Sequence, residues 1–263
     1  MKIFARIAVL LLLCSPFYSC GPSQREKAVG KINEAKAQII SGDTLKAIET
    51  LGTVHTMFPK AKVQIEVSAN MVDDLYRQMI DNRKEKLKTV DTQIDSLSAF
   101  FTKEKTEFDR YVQYIPKRLS FNRSWNKSFL QVNLDERGEI YLTSHYMGKD
   151  WLRHTAIRIY DGDLQVKTPT VPLDDPNNRE SDFLDYKWEK VSYTDGKSDS
   201  TIRFIAENSD RKLKCVFLGK RYYYILLEYY NSKAIKDAYY LSRAIKSKSK
   251  LETEIKEFEA RRK

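Results

Sequence analysis

The feature that most constrains the fold is a change of hydrophobic period part-way along the chain. In residues 119–231, apolar and polar residues alternate with a period of two, whereas apolar residues before and after this stretch recur every three to four positions. Period-two alternation is typical of strands with one buried face, and three-to-four spacing is typical of amphipathic helices. The sequence therefore predicts an α+β protein in which an antiparallel β domain is inserted between helical segments.

The β domain is predicted at residues 117–231, and we expect an antiparallel β-sandwich or a small barrel. Turn-forming dipeptides at Arg137-Gly138, Asp161-Gly162 and Asp195-Gly196 separate several of its alternating runs. Seven strands are predicted, at residues 129–134, 139–146, 152–160, 186–193, 201–206, 213–218 and 222–230.

Residues 20–80 are predicted to form a helical region. One apolar stripe ends at Gly42-Asp43, and a second helix then runs to Phe58 and stops before Pro59. The set Ala35, Gly42-Asp43, Ala47, Leu51 and Phe58-Pro59 resembles one tetratricopeptide-type repeat over residues 28–61. The resemblance implies a helical hairpin of the kind that recognises peptides or protein subunits, followed here by a further helix.

Residues 81–116 are predicted to form one long heptad helix, with Leu87, Ile94, Phe101, Phe108 and Ile115 at one heptad position and Pro116 at its end. Residues 232–263 are predicted to form a C-terminal helix of similar length, with an apolar stripe that includes Leu251 and Phe258. We expect these two helices to pair antiparallel as a coiled coil, which requires Leu87 to lie near Phe258.

The first 19 residues have the parts of an export leader: Lys2 and Arg6 precede a short apolar run at residues 7–13. The run is shorter than the ~20 residues of a membrane span. Phe17-Tyr18-Ser19-Cys20 resembles the lipobox of bacterial lipoproteins, which implies cleavage before Cys20, lipidation of its sulfur and anchoring in a membrane. An ordinary cleaved signal or an uncleaved anchor is the alternative. Gly21, where an aspartate would favour the inner membrane, indicates a periplasm-facing outer-membrane lipoprotein.

The charge of the chain limits its partners. Loss of Lys2 and Arg6 with the leader lowers the formal charge from +10 to +8. Outside the cytoplasm, the anionic partners of a basic protein are lipid headgroups, lipopolysaccharide phosphates and wall polymers, and we expect no nucleic acid. A solvated lysine-rich surface is the alternative.

Of the three cysteines only Cys215 then keeps a free thiol, and it is predicted to be a buried core residue.

The β domain also carries the candidate binding residues. Trp125, Trp151 and Trp188 are either core residues or a platform for sugar rings and partner proteins.

A hairpin between His145 and His154 would bring two imidazoles together, but zinc needs three or four ligands. The oxygen-rich loop at residues 173–185 lacks the ordered spacing of a calcium loop. We therefore expect no metal and no cofactor.

No nucleophile, phosphate-binding or metalloprotease motif is present in the sequence. The sequence therefore favours a non-catalytic, lipid-anchored interaction or assembly module with protein partners. The first alternative is a lipoprotein that binds glycan or cell-wall polymer through its aromatic β domain. The second is a hydrolase of an envelope polymer, which would need two carboxylates facing each other across a cleft.

Overall fold

The computed structural model describes residues 23–122 and 127–262, and these form an α+β protein with α-helices and antiparallel sheets. Neither Cys20 nor Trp125 lies among the described residues. The chain divides into two compact units. One contains the residues up to Met79 together with those from Glu259 onward, and the other is Ile80–Phe258.

The first unit is helical, as the sequence predicted. It contains α1 (Gln24–Ile40), α2 (Thr44–Met57) and the first half of α3 (Lys62–Ser98). Ser23 begins α1 with a reciprocal capping box, because its hydroxyl accepts from the Glu26 amide while the Glu26 carboxylate accepts from the Ser23 amide. Gly42 makes the turn between α1 and α2 with a φ of +88°, a conformation that favours glycine. The helices meet through small and aliphatic residues, namely Ala28, Ile32, Ala35, Ala47, Leu51 and Val54.

The predicted heptad helix at 81–116 is wrong beyond Ser98. Residues after Ser98 form a hairpin of β1 (Phe101–Glu104) and β2 (Gln113–Pro116). Phe101 and Tyr114 pack edge to face inside it, whereas Phe108, which was expected on the helical seam, is 89% exposed. Asp109 accepts hydrogen bonds from the amide and hydroxyl of Thr106, and this local turn competes with helix.

The second unit contains two four-stranded antiparallel sheets, and neither closes into a barrel. The first sheet has the order β3-β4-β8-β7, with β3 (Phe129–Leu134), β4 (Ile140–Gly148), β7 (Asn178–Phe183) and β8 (Tyr186–Tyr193). The second has the order β10-β9-β5-β6, with β5 (Ala156–Asp161), β6 (Leu164–Lys167), β9 (Lys214–Leu218) and β10 (Tyr222–Leu226). Their inward side chains belong to one hydrophobic cluster, in which Cys215 is fully buried as expected.

The strand predicted at 201–206 is also wrong, because this segment lies in α4 (Asp199–Glu207). Ile202, Ile205 and Ala206 are all buried, which is the three-to-four spacing of a helix rather than the period of a strand. Besides β1 and β2, two strands of the four-stranded sheets were missed: β6 is short and exposed, and β7 falls in the oxygen-rich stretch that was expected to be a loop.

The C-terminal helix, α5 (Tyr229–Arg261), begins three residues before the predicted boundary, so that β10 is shorter than the strand expected at 222–230. Within the second unit α5 and the end of α3 run antiparallel. Arg83 donates to Glu254 at 2.5 Å and its guanidinium lies 5.9 Å from the Phe258 ring, while Lys248 donates to Asp91 at 2.7 Å. Phe258 thus lies beside Arg83, which is one helical turn before Leu87 on α3. None of the described helices is long and apolar enough to cross a membrane.

Candidate functional site

A buried carboxylate, Glu189 of β8, lies at the centre of the densest polar network in the described residues. Its Oε1 accepts hydrogen bonds from the amides of Leu152 and Arg153 at 2.7 and 2.6 Å. Its Oε2 accepts from the amide of His154 at 3.0 Å and from His154 Nδ1 at 2.6 Å. One carboxylate therefore fixes three consecutive residues of the segment that connects β4 to β5.

The other side of the His154 ring continues the network. His154 Nε2 lies 2.7 Å from the Ser144 hydroxyl, which lies 3.1 Å from the Tyr193 hydroxyl. Because an ionised carboxylate only accepts hydrogen bonds, Nδ1 carries a proton and donates to Glu189. Burial by itself raises the pKa of Glu189, but the hydrogen bonds from the His154 ring and from the backbone outweigh it and lower the pKa. Burial raises the pKa of Tyr193, which keeps its hydroxyl protonated.

A serine, a histidine and a carboxylate in this order have the geometry of a hydrolase triad. A substrate cannot reach this serine, because Ser144 and His154 are 0% exposed and Glu189 is 2% exposed. Phe217 of the second sheet stacks on the imidazole with ring centroids 5.0 Å apart, which covers its face. The network thus holds the two sheets together and leaves no path for a substrate to Ser144.

The two histidines that a hairpin was expected to bring together lie in different environments. His154 lies in the core, whereas His145 is on the opposite face of β4, where it stacks on Phe129 and donates to Gln131 at 3.0 Å. Burial, followed by the charge of Lys190, lowers the pKa of His145 from 6.5 to about 4. Within residues 23–122 and 127–262, no group of three or more His, Cys, Asp or Glu side chains is placed to hold a metal ion.

The oxygen donors of residues 173–185 are used in structural contacts. Asn178 donates from its side chain to the carbonyls of His154 and Val171 at 3.2 and 3.1 Å. Asp175 accepts from the amide and side chain of Asn177. Asp182 pairs with Lys187. These contacts hold β7 against the neighbouring segments, and the oxygen atoms do not converge on one point.

The described tryptophans do not form an open platform. Trp151 and Trp188 are both partly buried. The Lys187 ammonium lies 5.4 Å from the Trp151 ring, and Trp188 faces Met147 and Ser181 across the strands of the first sheet. The third, Trp125, lies outside the described residues. The exposed aromatic surface is elsewhere, on β10 and the start of α5.

Strand β10 is an unprotected sheet edge with large exposed side chains. It stands last in its sheet and pairs only with β9 among the described strands. Tyr222, Tyr224 and Leu226 are 60%, 55% and 52% exposed, respectively. The sequence predicted a strand at residues 222–230, but aromatic alternation does not show which strand ends a sheet. An exposed apolar edge is a ready template for another strand.

The backbone of these three residues points away from β9. The Leu227 amide donates to the Leu213 carbonyl at 2.9 Å, and the Gly219 amide donates to the Arg221 carbonyl at 3.4 Å. Since alternate residues of an antiparallel strand bond the same neighbour, the odd-numbered positions of β10 face β9. Three amides and three carbonyls, those of Tyr222, Tyr224 and Leu226, therefore face the open edge.

A cleft of about 230 Å³ adjoins this edge, between β10 of the second sheet and β3 of the first. Its walls carry polar and apolar surface in similar amounts, and Lys127 and Glu228 supply one charge of each sign. The other residues that define its walls include Ile115, Leu130, Val132, Ile225, Leu226 and Tyr230. An extended chain lying along β10 would place alternate side chains at this cleft.

The chain matches no protein-family model, no curated protein and no solved structure. Inference about its function therefore rests on the geometry of the molecule.

We expect Glu189→Gln to destabilise the protein by about 3 kcal/mol, because an amide cannot accept all four hydrogen bonds and brings its own N–H groups against buried donors. Urea unfolding followed by tryptophan fluorescence measures the change. Glu180→Gln is the matched control, because Glu180 faces Glu189 across β7 and β8 but is exposed. Its loss should cost less than about 1 kcal/mol. Equal effects of the two substitutions would contradict the role assigned to the network.

His145 should make the stability depend on pH. Because its pKa is about 4 in the fold and 6.5 ordinarily, the unfolded chain takes up the proton first as the pH falls. Stability is therefore lost below about pH 6.5 and continues to fall until about pH 4, with a loss of about 2 kcal/mol by pH 5. His145→Asn removes this contribution, so the difference between the two unfolding free energies should shrink as the pH falls. A constant difference between pH 7.5 and pH 5 would rule the effect out.

Proposed function

We propose that this protein is a non-catalytic, lipid-anchored envelope protein that binds other proteins, and that β10 is the strand they pair with. The observation that carries the proposal is the free edge of β10, whose outward amides and carbonyls lie beside exposed Tyr222, Tyr224 and Leu226. Strand addition of this kind gives affinity through backbone hydrogen bonds and specificity through alternate side chains. The adjoining cleft supplies the apolar contacts.

Three further parts of the proposal come from the sequence. Cys20 carries the lipid, in an outer-membrane protein that faces the periplasm. The α1–α2 hairpin acts as a tetratricopeptide-type surface for a peptide or subunit. The paired lengths of α3 and α5 act as a stiff coiled coil, for which the Arg83–Glu254 and Lys248–Asp91 bridges give antiparallel support. The enclosed state of Ser144 supports a non-catalytic role.

The edge can be tested by photo-crosslinking from position 222 in intact cells of the native host. Tyr224→Pro removes an amide that faces the open edge and takes no part in the ladder with β9, and proline is tolerated at such positions. Tyr224→Ala is the matched control, because it removes the same side chain and keeps the amide. We expect a defined protein adduct that survives Tyr224→Ala and is lost in Tyr224→Pro, with both variants still folded by circular dichroism.

Two results would contradict the proposal. One is an adduct that Tyr224→Pro leaves unchanged, or that forms equally from exposed Phe108. The other is an adduct whose mass fits two copies of this chain, which would make the edge a self-association site.

Lipidation has its own test. We expect Cys20→Ala to abolish incorporation of labelled palmitate and to release the protein from the membrane fraction, because the lipid is attached to this sulfur. Cys14→Ala, which changes a cysteine inside the apolar leader, should leave both unchanged. Palmitate label that persists in Cys20→Ala would refute the anchor.

A further inference from the structure

The outer face of the second sheet carries a group of cations at neighbouring positions. Arg158 on β5 lies directly opposite Lys167 on β6, and Lys214 on β9 lies directly opposite Tyr160 on β5. The core side chains Ile157, Ile159, Cys215 and Phe217 occupy the alternate positions of these strands, so the cations share the outer face. Lys167 and Lys214 are exposed.

These charges are not neutralised within the described chain. Among the described residues, no carboxylate forms an ion pair with Arg158, Lys167 or Lys214, and nearby Asp161 is held by Arg211 at 2.7 Å. Like charges directly opposite each other on two strands are destabilising. The Arg158 Nε is moreover buried without a hydrogen-bond partner among the described residues. The face thus bears an electrostatic cost that a bound anion would relieve.

Aromatic rings lie between the cations. The Arg158 guanidinium and the Lys214 ammonium lie 5.6 and 5.9 Å from the Tyr160 ring. Tyr224 belongs to the same row as Arg158, because both oppose Val216 on β9. Neighbouring strands are about 4.8 Å apart, so rings and charges recur at short, regular intervals across the sheet. A repeating polymer of rings and anions has the complementary pattern.

From this arrangement we propose that the outer face of β5, β6 and β9 binds an anionic polysaccharide that carries carboxylate groups. The guanidinium of Arg158 and the ammonium groups of Lys167 and Lys214 bind the carboxylates. The tyrosine rings contact the apolar faces of the sugars. The occupant is a polymer rather than a lipid surface, because membrane binding favours an exposed apolar patch that can insert. On this face the aliphatic residues Ala156 and Val216, which lie among the cations, are buried. This site shares the ring of Tyr224 with the β10 edge, but it does not depend on strand pairing by the β10 backbone.

The test measures binding of the full chain to polygalacturonate, with neutral dextran and vesicles containing phosphatidylglycerol as the other probes. We expect polygalacturonate to bind, with an affinity that falls as salt is added, and dextran not to bind. The double variant Lys167→Gln/Lys214→Gln should raise the Kd for polygalacturonate about tenfold or more. The control Lys46→Gln/Lys190→Gln removes the same charge from exposed lysines elsewhere and should leave the Kd unchanged.

A third variant separates sugar contact from simple charge attraction. Tyr160→Leu keeps the strand and every cation, and it should weaken polygalacturonate binding because the ring is lost. The proposal is overturned if polygalacturonate does not bind, if both double variants weaken binding equally, or if Tyr160→Leu has no effect. Tighter binding to the vesicles than to polygalacturonate would overturn it in favour of a lipid surface.

Discussion

The fold of the β domain depends on one buried carboxylate. Glu189 belongs to the first sheet, and it accepts hydrogen bonds from three consecutive amides of the segment that leads into the second. That segment is also bonded to the second sheet, because the Leu152 carbonyl accepts from the Lys220 amide and the Thr155 amide donates to Leu218. A charge taken out of water is costly unless every hydrogen bond is made. Here the cost is offset by satisfying backbone donors that would otherwise be buried alone.

The network also places a triad-like geometry where solvent does not reach it. A hydrolase serine must reach its substrate, whereas Ser144 is closed in by Tyr193, His154 and Val191. The segment that connects β4 to β5 also packs closely against the second sheet, since a Cβ at Gly219 would lie 2.2 Å from the Leu152 carbonyl oxygen. The same hydrogen bonds that resemble a catalytic relay therefore serve to fix a connection between sheets.

Natural proteins usually cover or charge the edges of their sheets, since an open edge invites pairing with other chains. The first sheet follows this rule at β3, where a bridge between Gln113 and Asp135 brings β2 alongside. The second sheet does not follow it at β10. This edge keeps its outward backbone groups and adds exposed tyrosines. The cationic outer face belongs to the same sheet.

Much of the secondary structure follows from sequence pattern. The strands at 129–134 and 186–193 were predicted with their observed bounds. Burial alternates along the whole of the first strand and from Glu189 onward in the second. Errors arose where one set of residues fits two periods. Phe101 and Ile115 fit a heptad, but they lie in a hairpin. Ile202, Phe204 and Ala206 fit the period of a strand, but they lie in a helix. The local turn at Asp109 decided the first case and packing on the core decided the second.

The functional surfaces were harder to predict. Trp151 and Trp188 were chosen for their size, yet both are partly buried, whereas the tyrosines of β10 are exposed. The central residue Glu189 did leave a signal, since a charged side chain occupies the inward position of a strand whose other inward residues include Val191 and Tyr193. Its partners could not be read from the chain, because His154 and Ser144 lie 35 and 45 residues away in sequence.

By itself, the sequence determined the α+β class, the helical N-terminal region, the burial of Cys215 and most of the strands, because each follows from the local period of apolar residues. Only the tertiary structure decided which strand ends a sheet, which face of that sheet meets solvent and which polar groups meet in the core. Those properties depend on strand order and on pairing between residues distant in the chain, and hydrophobic period contains no information about either.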